Sequence, residues 1–269
     1  MKLLDSAAVK SGAANRTAHS WPPSAFGTMA NPATSLLLLA TWITLALWFN
    51  AAPGIDIAIS RFFHDPLCAH VLEKCARFPL SQYWAPQWFR KVMHNLPVII
   101  AAAMLCVLAL EFRFGRTLSH AGTRARAALV LAYIAGPGLF ANVLTKNMMG
   151  RPRPSHTDIF GGDLPFVPAA QFSDYCPGNC SFVSGEASSA FWLLGLLVFV
   201  PARHFRKGLV AVGALAFVTS MMRVGFGGHY FSDVVLGGLS TIVILSAIAA
   251  VQEQARDRLP VIRISQSRG

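Results

Sequence analysis

The chain has 269 residues, of which 54% are hydrophobic and 13% charged, and its mean hydropathy is +0.48. An ordinary soluble domain carries about 25% charged residues, so this composition indicates a polytopic membrane protein with no length to spare for a sizeable soluble domain. The net charge of +11 does not read as a nucleic-acid footprint, which needs a basic stripe on a soluble face; these Lys and Arg residues lie in short loops between apolar runs.

Residues 1–32 are polar, with Pro, Ser, Ala and Gly, and are expected to form a flexible tail. The first apolar run, 33–50, contains Leu36 to Leu39, Trp42, Trp48 and Phe49. It is longer and bulkier than the roughly 7–15-residue core of a cleaved signal peptide and reads as a signal anchor. Further apolar runs follow at about 96–112, 125–144, 187–202, 208–222 and 233–251. Several fall a little short of the ~20 residues that cross a hydrocarbon core, with flanking aromatics to extend them. The expected fold is all-α: a polytopic helical bundle of about six transmembrane helices forming one membrane domain, 33–252. Loops 51–95 and 145–186 leave it on one side, and a basic tail, 253–269, follows.

Lys and Arg set the orientation. Lys2, Lys10 and Arg16 lie in the first tail, and Arg113, Arg116, Arg124 and Arg126 in one loop. Arg203, Arg206 and Lys207 lie in another, and Arg256, Arg258, Arg263 and Arg268 in the last tail. In a six-pass chain all four segments share a side, so both termini are expected in the cytoplasm of a bacterial-type inner membrane. The other two loops then face outward. Within the first, Gln82 to His94 mixes Trp84, Trp88 and Phe89 with Arg90 and Lys91, a pattern for a helix lying in the interface. Cys68 and Cys75 fall in the first outer loop and Cys176 and Cys180 in the second. Two close pairs in an oxidising compartment suggest Cys68–Cys75 and Cys176–Cys180 disulfides, with free thiols or a metal site as the alternative. Cys106 reads as a small buried hydrophobe.

Three polar stretches stand at the edges of the apolar runs on the outer side: Lys146 to Pro154, Val183-Ser184-Gly185-Glu186, and Arg223 to Asp233. Basic residues are costly near a bilayer without partners, and Lys146, Arg153, Arg223 and His229 outnumber the carboxylates beside them. An anionic ligand is the missing partner. Lys146, Arg153 and Arg223 suit the equatorial oxygens of a phosphoryl group. Ser184 and Gly185 open a helix whose amides point at an anion. Asp233, four residues after His229, is within reach to set the imidazole tautomer. Arg151 reads as a headgroup contact or a solvated charge, and the glycines from Gly225 to Gly228 as a close backbone approach at a helix break.

These blocks resemble the type 2 phosphatidic acid phosphatase superfamily, with its K-x6-R-P, P-S-G-H and S-R-x5-H-x3-D motifs. Lys146, Arg153 and Pro154 match the first, and Arg223, His229 and Asp233 match the third. The resemblance implies a lipid phosphate phosphatase, with His229 as nucleophile forming a phosphohistidine, and no metal or cofactor. The chain departs from the pattern at Val183, at Met222 and, most consequentially, at Glu186, where the family has the His that protonates the leaving oxygen. Glu186 is expected to act as that acid, with a favourable helix-dipole contact as its structural alternative. The expected substrate is a phosphomonoester or pyrophosphate lipid: phosphatidylglycerol phosphate, phosphatidic acid, polyprenyl diphosphate or a lipid A phosphate. A lipid phosphotransferase and a non-catalytic lipid-phosphate binder or transporter are the alternatives. The sequence sets no oligomeric state.

Overall fold

The structure, a computed structural model, describes residues 26–69 and 76–258. The expected tail up to residue 25, Cys75 with its expected bridge to Cys68, and residues 259–269 lie outside them.

Among the described residues, five helices are long and apolar enough to span a bilayer: α1 Pro32–Ala51, α3 Trp84–Arg113, α4 Ala121–Met148, α6 Ala202–Gly225 and α7, whose apolar part covers Phe231–Arg256. A shorter apolar helix, α5 Gly185–Phe199, accompanies them, and α2 Gly54–Phe62 lies in the segment between α1 and α3. These six apolar helices follow the six apolar runs, and all three motifs fall at or just beyond their ends on one face. Two of them start on a side-chain cap. Asn31 caps α1 by accepting from Ala33 N–H, with Pro32 at the first position. Ser184 caps α5 by accepting from Ala187 N–H at 3.3 Å.

α7 is the central element and packs against α1, α4, α5 and α6. In lipid there is little hydrophobic drive between helices, so close packing relies on small residues and interhelical hydrogen bonds. α7 supplies both. A Cβ at Gly237 would meet the Ser184 carbonyl oxygen at 2.6 Å, so only glycine lets the start of α5 press on it. Trp42 on α1 donates to the Leu236 carbonyl, Ser35 pairs with Ser246, and Ser188 on α5 pairs with Thr241. One apolar cluster joins Trp192 to Leu129, Val130, Met104 and Leu245; a second, nearer the motifs, joins Phe49, Ala141, Val183 and Leu236.

Two helices depart from simple rods. α4 widens into π-helical turns over Ile134–Thr145. Pro137 lies within them; proline offers no N–H and crowds the preceding turn. The widened stretch ends at Lys146, the first motif residue. α3 is a single 30-residue helix running through Pro97. The expected interfacial helix at Gln82–His94 is therefore not a separate element, because its residues from Trp84 onward extend the membrane helix outward. At about 45 Å against a hydrocarbon core of about 30 Å, α3 has roughly ten residues to project past the bilayer. That projection carries Arg90 over the start of α5.

Candidate active site

His229 sits in the turn between α6 and α7, buried at 1% exposure. The turn is built tightly around it. Gly228 and His229 amides both return to the Arg223 carbonyl, at 3.1 and 3.3 Å. A Cβ at Gly228 would lie 2.7 Å from Arg223 Nη2, and Gly227 has a φ of +64°, so the paired glycines give the close approach that the sequence suggested.

The imidazole Nδ1 lies 2.7 Å from the Ser181 carbonyl oxygen. A carbonyl only accepts, so Nδ1 must carry the proton and Nε2 keeps its lone pair. Burial holds the His229 pKa well below the usual histidine value; the positive charges of Arg223, Lys146 and Arg153 add to this, and the Ser181 carbonyl opposes it. The ring is thus a neutral imidazole with a bare nitrogen in a basic pocket, as a nucleophile for phosphorus must be.

Asp233 does not hold that nitrogen directly. Its Oδ2 stands 3.9 Å from Nδ1, beyond hydrogen-bond distance. Instead it accepts from Ser181 Oγ at 2.5 Å and from Tyr230 N–H at 2.9 Å, while its backbone carbonyl accepts from Ser184 N–H at 2.9 Å. It fixes the strand of chain whose Ser181 carbonyl then orients the ring. Sequence reasoning could not single out Ser181, because a backbone carbonyl leaves no residue-type signal.

Arg151, read from sequence as solvated or in contact with a headgroup, is fully buried. Nη1 donates to Asp233 Oδ1 at 2.5 Å and Nη2 to Asp56 Oδ2 at 2.8 Å. Nε donates to the Val167 carbonyl at 2.8 Å, and the guanidinium lies 4.2 Å from the Tyr230 ring centroid. Burial alone lowers its pKa, but Asp233 and Asp56 outweigh that and keep the group charged. Asp56 also takes Ser232 N–H at 2.8 Å. The signal that could have found this pair was Asp56 itself, an acid between Ile55 and Ile57 that needs a partner.

Lys146, Arg153 and Arg223 act on His229 electrostatically, and Arg90 in turn acts on those three. Among the described residues Glu186 is the carboxylate that stands with them; Asp233 is committed to Arg151. Arg223 Nε is buried without a hydrogen-bond acceptor, its closest carboxylate oxygen being Glu186 Oε1 at 3.4 Å. Arg153 is held by Asn179, through the backbone oxygen at 2.9 Å and Oδ1 at 2.7 Å. Asn179 belongs to the five-residue loop closed by the Cys176–Cys180 disulfide. Ser184 is buried and its own N–H donates to the Asp233 carbonyl, so the amides of Gly185 and Glu186 are the next donors at the helix start.

Glu186 receives Arg90 Nη2 at 2.7 Å and Arg90 Nε at 3.2 Å. Held by Arg90 through two nitrogens and flanked by Arg223, it is a carboxylate with no proton to give, which argues against the acid role expected of it. Arg90 was missed as a site residue because its segment was read as lying in the membrane plane. Among the described residues no group of three His, Cys, Asp or Glu side chains is placed to hold a metal ion.

The PAP2 superfamily model matches residues 126–257. A lipid A 4′-phosphatase of Rhizobium etli is 42% identical over 81% of this chain and 87% of its own length. A lipid A 4′-phosphatase of Rhizobium leguminosarum is 40% identical over 81% and 96%. One from Francisella tularensis subsp. novicida is 26% identical over 78% and 92%. With an apolar helical bundle, a neutral buried histidine and a ring of cations already in place, the chain belongs to the PAP2 superfamily and is a multi-pass membrane lipid phosphatase.

Proposed function

We propose that the substrate is a phosphomonoester of lipid A, with the 4′-phosphate as the first choice, and that it is cleaved on the outer face of a bacterial inner membrane. The names of the three relatives support the substrate. The Lys and Arg bias of the loops supports the sidedness, with both termini in the cytoplasm. The observation that carries the chemistry is the bare His229 Nε2 at the floor of a cationic pocket.

Lys146, Arg153 and Arg223 bind the three non-bridging phosphate oxygens, and the Gly185 and Glu186 amides add donors at the helix start. Arg223 Nε then gains the acceptor it lacks. His229 Nε2 attacks phosphorus in line with the sugar oxygen, the P–O bond breaks, and a phosphohistidine forms. Water then cleaves the P–N bond and releases inorganic phosphate. Asp233 and Arg151 touch no substrate; they position Ser181 and through it the imidazole. In this reading the bundle is one membrane domain over 33–252, with 51–95 and 145–186 outside and 253–269 inside.

Purified protein in detergent is expected to release inorganic phosphate from lipid A in the presence of chelator, and His229→Ala to remove that release with its phosphoenzyme. Catalysis by a phosphohistidine cannot survive loss of the ring, so release at the normal rate from His229→Ala would refute the mechanism. Release from phosphatidic acid or phosphatidylglycerol phosphate but not lipid A would refute the substrate.

A further inference from the structure

An alkoxide leaving group needs a proton, and Glu186 is a poor source for it. Its carboxylate is instead the centre of a second small assembly at the mouth of the pocket. Arg90 binds it through two nitrogens, Arg223 Nε lies 3.4 Å from Oε1, and His94 Nδ1 lies 4.0 Å from the same oxygen. Arg90 and His94 are four residues apart on α3, so they share a face of that helix. The side chains are graded in depth: His229 is 1% exposed, Arg223 6%, Glu186 12%, Arg90 42% and His94 59%. In-line attack places the leaving oxygen opposite the nucleophile. Since the nucleophile is the deepest group, the leaving oxygen points outward, towards the rim where His94 stands.

We propose that His94 is the general acid of this active site and that Glu186 positions it. Both roles rest on the phosphatase reading above. Glu186 attracts Nδ1–H of the imidazolium and turns Nε2–H towards the leaving oxygen. As His229 Nε2 bonds to phosphorus and the P–O bond breaks, that oxygen takes the proton of His94 Nε2 and departs as an alcohol. His94, now neutral, accepts a proton from the water that attacks the phosphohistidine. The P–N bond breaks, inorganic phosphate leaves, and both histidines return to their starting states. The proton donor that this chain lacks on α5 is supplied by α3, and Glu186 is the link between the two helices.

The assignment predicts a dependence on leaving group that loss of fold cannot imitate. Two micellar substrates with the same alkyl chain are compared, an alkyl phosphate and a nitrophenyl phosphate whose phenol leaves without a proton. Activity is read as kcat/KM, which reports phosphorylation of the enzyme and excludes the later hydrolysis. His94→Gln is expected to lose about 100-fold or more on the alkyl phosphate. On the nitrophenyl phosphate it is expected to stay within about threefold of wild type, which also shows that the variant is folded. Glu186→Gln should show the same preference more weakly, because it loosens His94 without removing it. Equal losses on both substrates in His94→Gln, or no loss on either, would overturn the assignment while leaving the phosphatase reading intact. A wild-type protein that releases phosphate from neither substrate nor from lipid A would overturn the phosphatase reading itself, and this assignment with it.

Discussion

Asp233 and Glu186 flank the pocket of His229, and each holds guanidinium groups, but in opposite surroundings. The Asp233–Arg151–Asp56 assembly is sealed, with every member fully buried and each carboxylate bonded to a second element of the chain. The Glu186–Arg90 pair is open at one end, and its Arg is two-fifths exposed. The same chemistry therefore does two jobs. In the sealed assembly a lost partner leaves a charge stranded without water, so the network sets geometry. In the open one water and ligand compete for the same donors, so the pair can rearrange when phosphate arrives.

The largest effect should come from breaking the sealed side. Arg151→Ala leaves Asp56 and Asp233 buried and unpaired, which typically costs about 3–5 kcal/mol. It should lower the thermal midpoint in detergent and sharply reduce the folded yield, measured by size-exclusion recovery. Arg151→Lys is expected to rescue little, since one ammonium cannot reach Asp56, Asp233 and the Val167 carbonyl together. A fully stable and active Arg151→Ala would mean that the buried network does not position the nucleophile.

The contrast also shows which parts of this molecule a sequence can disclose. Apolar runs and clusters of basic residues at their ends carry their own signal, so the helices, the cationic pocket and His229 were legible. The contacts of Arg151 were not, because a charge beside a motif looks the same whether it faces water or a buried Asp56 some 95 positions earlier. The α3 extension was misread for a related reason. Aromatics mixed with Arg90 and Lys91 suit a helix lying in the interface and one rising through it equally well. The unbroken helix from Trp84 to Arg113 decides between them, and its ion pair with Glu186 spans 96 positions. The expectation that Asp233 touches His229 failed by one link, since the Ser181 carbonyl stands between them.

A smaller effect is expected on the open side. Arg90→Ala should cost less stability than Arg151→Ala, because Arg90 is two-fifths exposed and Arg223 stays beside Glu186. Its cost should appear in KM for lipid phosphate, which is expected to rise about tenfold, close to 1.4 kcal/mol of lost binding. Because Arg90 and Glu186 act together, Arg90→Ala combined with Glu186→Gln should lose less than the sum of the two single losses. Strict additivity in kcat/KM would place the two residues in separate functions and erase the contrast with the sealed side.

The smallest effect concerns the field that both sides share. In the proposed mechanism His229 attacks only as the neutral ring, and burial together with Arg223, Lys146 and Arg153 keeps its pKa well below the ordinary histidine value. Activity should therefore persist as pH falls through the usual histidine range and decline only when the lowered pKa is reached. Arg153 lies outside the membrane helices and is the third of the three named cations, behind burial as the leading cause. Arg153→Ala removes one positive charge, so protonating the ring becomes easier and the acid limb of kcat/KM moves to higher pH. The substrate's own ionisation is common to both proteins and cancels in the comparison. An acid limb that stays in place, or moves to lower pH, would mean that Arg153 grips phosphate without tuning the nucleophile. The cations would then bind phosphate as separate contacts, with no shared field keeping the ring neutral.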